Sequence, residues 1–234
     1  MKKTILITGS ARRIGASIAK KFARYDYNII IHYLSSKEAA EHLAKEIGNN
    51  SIAIRADLRK ESDVEILFKT AIDVFGQVDI LINNAAVFPP KHNIDELTLN
   101  DWNNTINANL TAQMLTAKQF AIQPITDGRI INFSSLGGIK TWDRRIDYNV
   151  SKVAVIQLSK SLARELAPHI SVNCICPGIV KLDSDETLAI PAVRVPMQRY
   201  ASVDDIFDAV YFFATASKYI TGQTLLVDGG LSLC

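Results

Sequence analysis

Apolar residues fall into two rhythms along the chain. Short apolar runs occupy residues 5–7, 29–33, 51–56, 78–82, 129–133, 170–175 and 224–227. Between them, apolar side chains recur every three or four residues over 14–22, 36–47, 61–75, 99–121, 148–166 and 203–216. The first rhythm predicts strands and the second predicts amphipathic helices. Ser36 is placed to cap one helix, and Gly48 and Gly76 to stop two. Strand and helix alternate throughout, and the strands are apolar on both faces. That pattern implies a parallel sheet covered by helices on either side. Right-handed crossovers then give a doubly wound, Rossmann-like α/β sheet of about seven strands. Neither a repeat nor a linker interrupts it, so a single domain over 1–234 is expected.

Ligands of such sheets bind beyond the carboxyl ends of the strands. The residues at those ends include Gly9, Tyr33, Asp57, Asn84, Ser135 and Pro177. After the first strand the chain reads Thr8-Gly9-Ser10-Ala11-Arg12-Arg13-Ile14-Gly15 and enters a helix. Strand, glycine turn and helix together point free N–H groups and a positive dipole end at a phosphate. A glycine pair alone often marks only a tight turn; its place in a βαβ unit strengthens the phosphate reading.

Tyr148 and Lys152 are four residues apart, so on a helix they share a face. An ammonium beside a phenol favours the phenolate and brings proton exchange toward neutral pH. Ser135, at the end of the preceding strand, offers a hydroxyl to a substrate carbonyl or serves as a loop serine. Asn109 is a poor helix former inside an apolar helix. It bonds locally or holds a water that links Lys152 to solvent.

Thr8-Gly9-xxx-Arg13-x-Gly15, Asn83-Asn84-Ala85, Asn109, Ser135, Tyr148-xxx-Lys152 and Pro177-Gly178 occur in one order across nearly the whole chain. Together they resemble the short-chain dehydrogenase/reductase family. The resemblance implies hydride delivery from a nicotinamide cofactor, with Tyr148 as proton donor. It implies that Lys152 binds the nicotinamide ribose and lowers the tyrosine pKa. Ser135 would orient the substrate and Asn109 would maintain the relay water. The implied cofactor cradle takes in Gly9, Ser10, Arg12, Arg13 and Ile14 in the turn, and His32, Tyr33, Ser35 and Ser36 after the second strand. Asp57 and Leu58 would lie against adenine, Asp57 otherwise capping the next helix. Asn84, Ala85, Ala86, Pro177, Gly178 and Val180 would complete the cradle toward the nicotinamide. Leu182 stands near the place of the family's usual threonine.

Two departures bear on substrate. Arg13 replaces the family's middle glycine, and the T-G-x-x-x-R-x-G form is similar to pteridine reductases. His32-Tyr33 with Ser35-Ser36 is similar to them as well. Phe88 stands where those enzymes stack a ring on the pterin, or else packs under Pro89. Ser135, however, replaces their usual aspartate. The leading expectation is therefore a dihydropterin or dihydrofolate reductase. The alternative is a 3-oxoacyl-thioester or other carbonyl reductase. A non-catalytic dinucleotide-binding regulator is a third reading.

Charge settles the expected cofactor. Residues 32–36 carry no acid to hold a ribose 2′-hydroxyl, while Arg12 and Arg13 suit a 2′-phosphate. NADPH is expected, with no metal. A net charge of +2 implies neither a nucleic-acid nor a membrane partner. Arg12, Arg13 and Gly9 break any signal-like apolar stretch, so a cytoplasmic protein is expected. Cys174 and Cys176 read as buried free thiols rather than as a metal or redox pair. A short substrate lid is expected over 179–200. The stripe of Val155, Leu158 and Leu162 belongs to the core or to an interface, and a homotetramer or homodimer is expected.

Overall fold

The computed structural model describes residues 2–48, 50–182 and 190–234. Part of the expected lid, residues 183–189, lies outside the described residues. The chain forms β1 (Thr4–Ile7), α1 (Arg13–Ala23), β2 (Asn28–Tyr33), α2 (Lys37–Ile47), β3 (Ser51–Arg55), α3 (Glu61–Phe75) and β4 (Ile80–Asn83). There follow α4 (Leu99–Ile106), a π-helical turn (Asn107–Thr111), α5 (Ala112–Ile122), β5 (Gly128–Phe133) and α6 (Ile146–Glu165). The order closes with β6 (Ile170–Pro177), α7 (Val203–Thr215) and β7 (Thr224–Val227). The strands make one seven-stranded sheet in the order β3-β2-β1-β4-β5-β6-β7. Each neighbouring pair is parallel. The chain steps outward from β1 to β3 and then returns to lay β4 on the other side of β1. That reversal opens a crevice at the carboxyl ends of β1 and β4.

Period-two alternation distributes the core. Ile5 and Ile7 face Phe22, Ile18, Phe207 and Phe213, while Leu6 faces the opposite layer with Leu67, Phe68 and Phe120. Each such buried side chain contributes roughly 1.5–3 kcal/mol. Cys174 and Cys176 are buried free thiols beside Val155 and Ile156.

Two local expectations are corrected. The helix over 99–121 is broken by the π turn, which contains Asn109. Ser36 precedes α2 but makes no side-chain cap bond. Of the Val155, Leu158 and Leu162 stripe, Val155 is fully buried and Leu162 packs against the core, in line with its core alternative, while the outward face of α6 carries Ile146, Val150 and Val153.

Gly15 sits where α1 presses on the turn after β1. A Cβ there would lie 2.7 Å from both the Gly9 carbonyl oxygen and Asn84 Nδ2. Gly15→Ala would gain about 1 kcal/mol of helix propensity. Displacing backbone costs roughly 1–3 kcal/mol and outweighs it. Calorimetry should therefore show a lower thermal midpoint for Gly15→Ala, whereas an unchanged or higher one would mean that the turn yields freely.

Candidate active site

A cleft of about 450 Å³ opens beyond the carboxyl ends of β1 to β4. Gly9, Arg12, Arg13, Ile14, Asp57, Leu58, Asn84, Ala85 and Ala86 all line it. Its tightest point is the turn after β1. Gly9 has φ +63, and a Cβ on it would lie 3.0 Å from the Ala85 Cα. Only glycine meets both conditions without strain. The turn is tied to the end of β4 from both sides. The Ala85 N–H donates to Thr8 Oγ1 at 2.9 Å, and Asn84 Nδ2 donates to the Thr8 carbonyl at 2.9 Å. Arg13 has φ +54, the left-handed region that glycine occupies at least cost.

His32 lines the cleft, but it and Ser10 make their side-chain hydrogen bonds to the protein itself. The Gly9 N–H donates to His32 Nδ1 at 2.9 Å, so that nitrogen is unprotonated. Nε2–H must then donate to the Ala56 carbonyl, 3.0 Å away. Ser10 Oγ donates to the Ile7 carbonyl at 2.7 Å and accepts from the His32 N–H. Burial pushes the His32 pKa down to about 4, because charging the ring would strand a cation in the core. Histidine and serine here fix the glycine turn. Tyr33 is buried in the core, while Ser35 is exposed and Ser36 half-exposed outside the cleft lining.

At the far end, Arg59 reaches back to Asp57. Its Nε and Nη2 donate to the two carboxylate oxygens, each at 2.8 Å. These hydrogen bonds hold the Asp57 carboxyl below its usual range. Arg59 also lines the cleft and was not singled out by the sequence. The Asp57-x-Arg59 spacing was its only signal.

Tyr148 and Lys152 share the inward face of α6. Lys152 is buried, and Nζ donates to the Phe133 carbonyl at 3.0 Å. Its nitrogen lies 5.8 Å from the Tyr148 ring centre. Burial pushes its pKa down to about 8. The Tyr148 phenol is pushed up by burial, while hydrogen bonding from Ser135 and the charge of Arg145 oppose that rise. Desolvation is the largest of these influences on the phenol. Ser135 Oγ also accepts the Gly137 N–H at 3.0 Å. Ser134 Oγ donates to the Lys152 carbonyl at 2.6 Å, and Gly138 leaves room for that carbonyl.

Asn109 clamps the β4 loop to α6. Its Oδ1 accepts the Val87 N–H at 2.7 Å, and Nδ2 donates to the Val87 carbonyl and to Ser151 Oγ. The next residue, Phe88, meets Tyr148 edge to face with ring centres 4.8 Å apart. The Arg145 guanidinium lies over the Phe88 ring at 3.8 Å. Phe88 is thus held between the Arg145 guanidinium and the Tyr148 ring and is otherwise exposed. Pro177 and Gly178 end β6 against β7, where the Gly178 N–H donates to the Val227 carbonyl. Val180 bridges to Ala201. These three lie outside the lining of the cleft, as do Asn109, Ser135, Tyr148 and Lys152.

With this geometry in hand, the similarities to known proteins are informative. The family model described as Enoyl-(Acyl carrier protein) reductase matches residues 9–232. A 3-oxoacyl-[acyl-carrier-protein] reductase FabG of Staphylococcus aureus is 35% identical, over 99% of this chain and 98% of its own. A blue fluorescent protein from a metagenomic library, solved in complex with NADPH, superposes with a TM-score of 0.91 at 31% identity. That match covers 98% of this chain and 97% of the other. A Serratia marcescens short-chain dehydrogenase/reductase mutant also gives 0.91, at 29% identity and 98% coverage of both chains.

The histidine under the turn gives a pH signature. Folding holds the imidazole neutral, so the unfolded chain binds the proton first as pH falls below about 6.5. Stability is complete above that pH and declines toward pH 4. Urea unfolding should show a loss of about 2 kcal/mol at pH 5 relative to pH 7, at roughly 1.4 kcal/mol per pKa unit. His32→Asn should flatten that interval; a slope equal to the parent's would assign the loss elsewhere.

Proposed function

The chain belongs to the short-chain dehydrogenase/reductase family, and from that premise we propose an NADPH-dependent reductase of 3-oxoacyl thioesters. The observation that carries the reading is the buried Tyr148 phenol on the same face of α6 as the buried Lys152, with Ser135 at the end of β5 the hydroxyl that acts on its pKa. This is the donor set for a carbonyl oxygen. The similarity to a 3-oxoacyl-[acyl-carrier-protein] reductase supports the acyl thioester over the dihydropterin that Arg13 and Phe88 suggested. Ser135 supports it too, since a pterin-type site is expected to carry a carboxylate there.

The residues present fit a nicotinamide dinucleotide. The Gly9 turn brings bare backbone to the cleft at a point a Cβ would fill. Arg12 and Arg13 on the cleft wall suit a 2′-phosphate. Leu58, Asp57 and Arg59 would meet the adenine, and Asn84 to Ala86 the middle of the cofactor. Lys152 has N–H groups beyond the one given to Phe133 for the ribose near the nicotinamide. When bound, the reduced dinucleotide supplies hydride to the carbonyl carbon.

The chain supplies the proton. Burial keeps the Tyr148 phenol protonated at neutral pH, so it stands ready to donate to the carbonyl oxygen. Ser135 donates a second hydrogen bond to that oxygen and orients it. The phenolate left behind is stabilised by Lys152 and then reprotonated from solvent. We assign Asn109 and its π-helical turn to ordering water on the lysine side. The exposed Ile146, Val150 and Val153 of α6 support assembly as a homotetramer, and we place the protein in the cytoplasm.

Purified protein should oxidise NADPH with an acetoacetyl thioester. Tyr148→Phe should lower kcat by about 10²–10⁴-fold while leaving NADPH affinity near that of the parent. Turnover of a dihydropterin and none of the thioester would reverse the substrate assignment. Arg13→Gly should weaken NADPH binding more than NADH binding, and relief of its left-handed backbone should keep the thermal midpoint at or above the parent's. Equal loss for both dinucleotides would remove Arg13 from the 2′-phosphate.

A further inference from the structure

Arg145 immediately precedes α6, three residues before Tyr148. Its guanidinium and the Tyr148 ring touch the same Phe88 ring. The nitrogen Nη1 is closed off from solvent, and among the described residues it has no hydrogen-bond acceptor. The two nearest acids in sequence are engaged elsewhere: Asp147 accepts from Thr105 Oγ1 at 2.6 Å and Asp143 accepts from Arg144 Nε at 3.2 Å. A ring face returns less to a desolvated cation than a hydrogen-bonded acceptor does. Burial lowers the guanidinium pKa from a range far above neutrality, so the group stays charged.

The segment around Arg145 is held in place. The His92 N–H donates to the Arg144 carbonyl at 3.0 Å, and the Asn149 amide bonds both backbone groups of Trp142, at 3.1 and 2.9 Å. The side chain as a whole is half-buried and makes no hydrogen bond to the described residues, so the N–H groups other than Nη1 are left to meet a ligand beside the Tyr148 phenol.

We infer that Arg145 is a specificity-determining residue that hydrogen-bonds the second carbonyl or carboxylate group of a 3-oxo substrate. The site then selects 1,3-dicarbonyl compounds over simple ketones. A planar guanidinium pairs with a carboxylate through two parallel bonds, so a free 3-oxo acid is held more tightly than its thioester. The inference rests on the carbonyl-reductase reading of Tyr148, but not on the thioester.

The test is steady-state NADPH oxidation with an acetoacetyl thioester, free acetoacetate and 2-pentanone. The parent is compared with Arg145→Met and Arg145→Lys. Arg145→Met should raise KM at least about tenfold for both dicarbonyls, most for acetoacetate, with kcat within about twofold. KM for 2-pentanone should not move, and Arg145→Lys should recover part of the loss. An equal loss on all three compounds, or no loss, overturns the inference and leaves Arg145 as packing for Phe88. If the parent reduces acetoacetate with this dependence but not the thioester, the inference stands and the thioester reading falls. If the parent turns over none of the three, both fall.

Discussion

A lysine ammonium buried at the carboxyl edge of the sheet is the constraint around which this site is arranged. Moving such a charge out of water is expensive, and the burial that lowers its pKa to about 8 measures that expense. The chain keeps Lys152 in place by fixing its backbone rather than by pairing its charge. Ser134 holds its carbonyl, Gly138 makes room for it, and the side chain reaches the Phe133 carbonyl at the end of β5. The same desolvation raises Tyr148. One dry pocket therefore holds a weakened ammonium and a protonated phenol within one helical turn, which suits donation of a proton to a developing alkoxide.

The dinucleotide end of the cleft is built by different means. There the requirement is close backbone approach, and it is met by clamping a glycine turn between two strand ends. Thr8 and Asn84 fasten the turn to β4, and His32 fastens it to β2 and β3. Asn109 joins the two ends of the cleft. Its amide bridges the Val87 backbone, which follows the cofactor-side residues Asn84 to Ala86, to Ser151 on the helix of Tyr148 and Lys152. The π turn that carries Asn109 widens the helix at that point and lets the amide point at the loop.

Phe88 shows how one contact alters the reading of a residue. As an aromatic in a loop beyond β4, it suits a platform for a flat bicyclic ligand. With Arg145 over the ring and Tyr148 at its side, it becomes a support for a cation beside the proton donor. That arrangement fills one side of the ring with protein. Arg13, whose place in the motif suggested the pterin, takes a left-handed backbone on the wall of the cleft beside the Gly9 turn.

The sequence alone determined the sheet, its parallel sense and the strand ends at which chemistry would gather. Those follow from period, run length and the position of Gly9, all of which are local or nearly local properties. It also determined the Tyr148–Lys152 pair, because helical spacing brings i and i+4 together wherever the helix packs. Only the tertiary structure decided which way side chains at the strand ends face. His32 and Ser10 bond to the protein itself because Ala56, Ile7 and the Gly9 N–H offer partners from three separate segments. Val155 faces the core and Ile146 solvent because α6 packs on β6 through one stripe and not its neighbour. Arg145 and Arg59 could not be read in advance, for their surroundings, Phe88 in one case and a cleft wall in the other, arise only when distant loops meet.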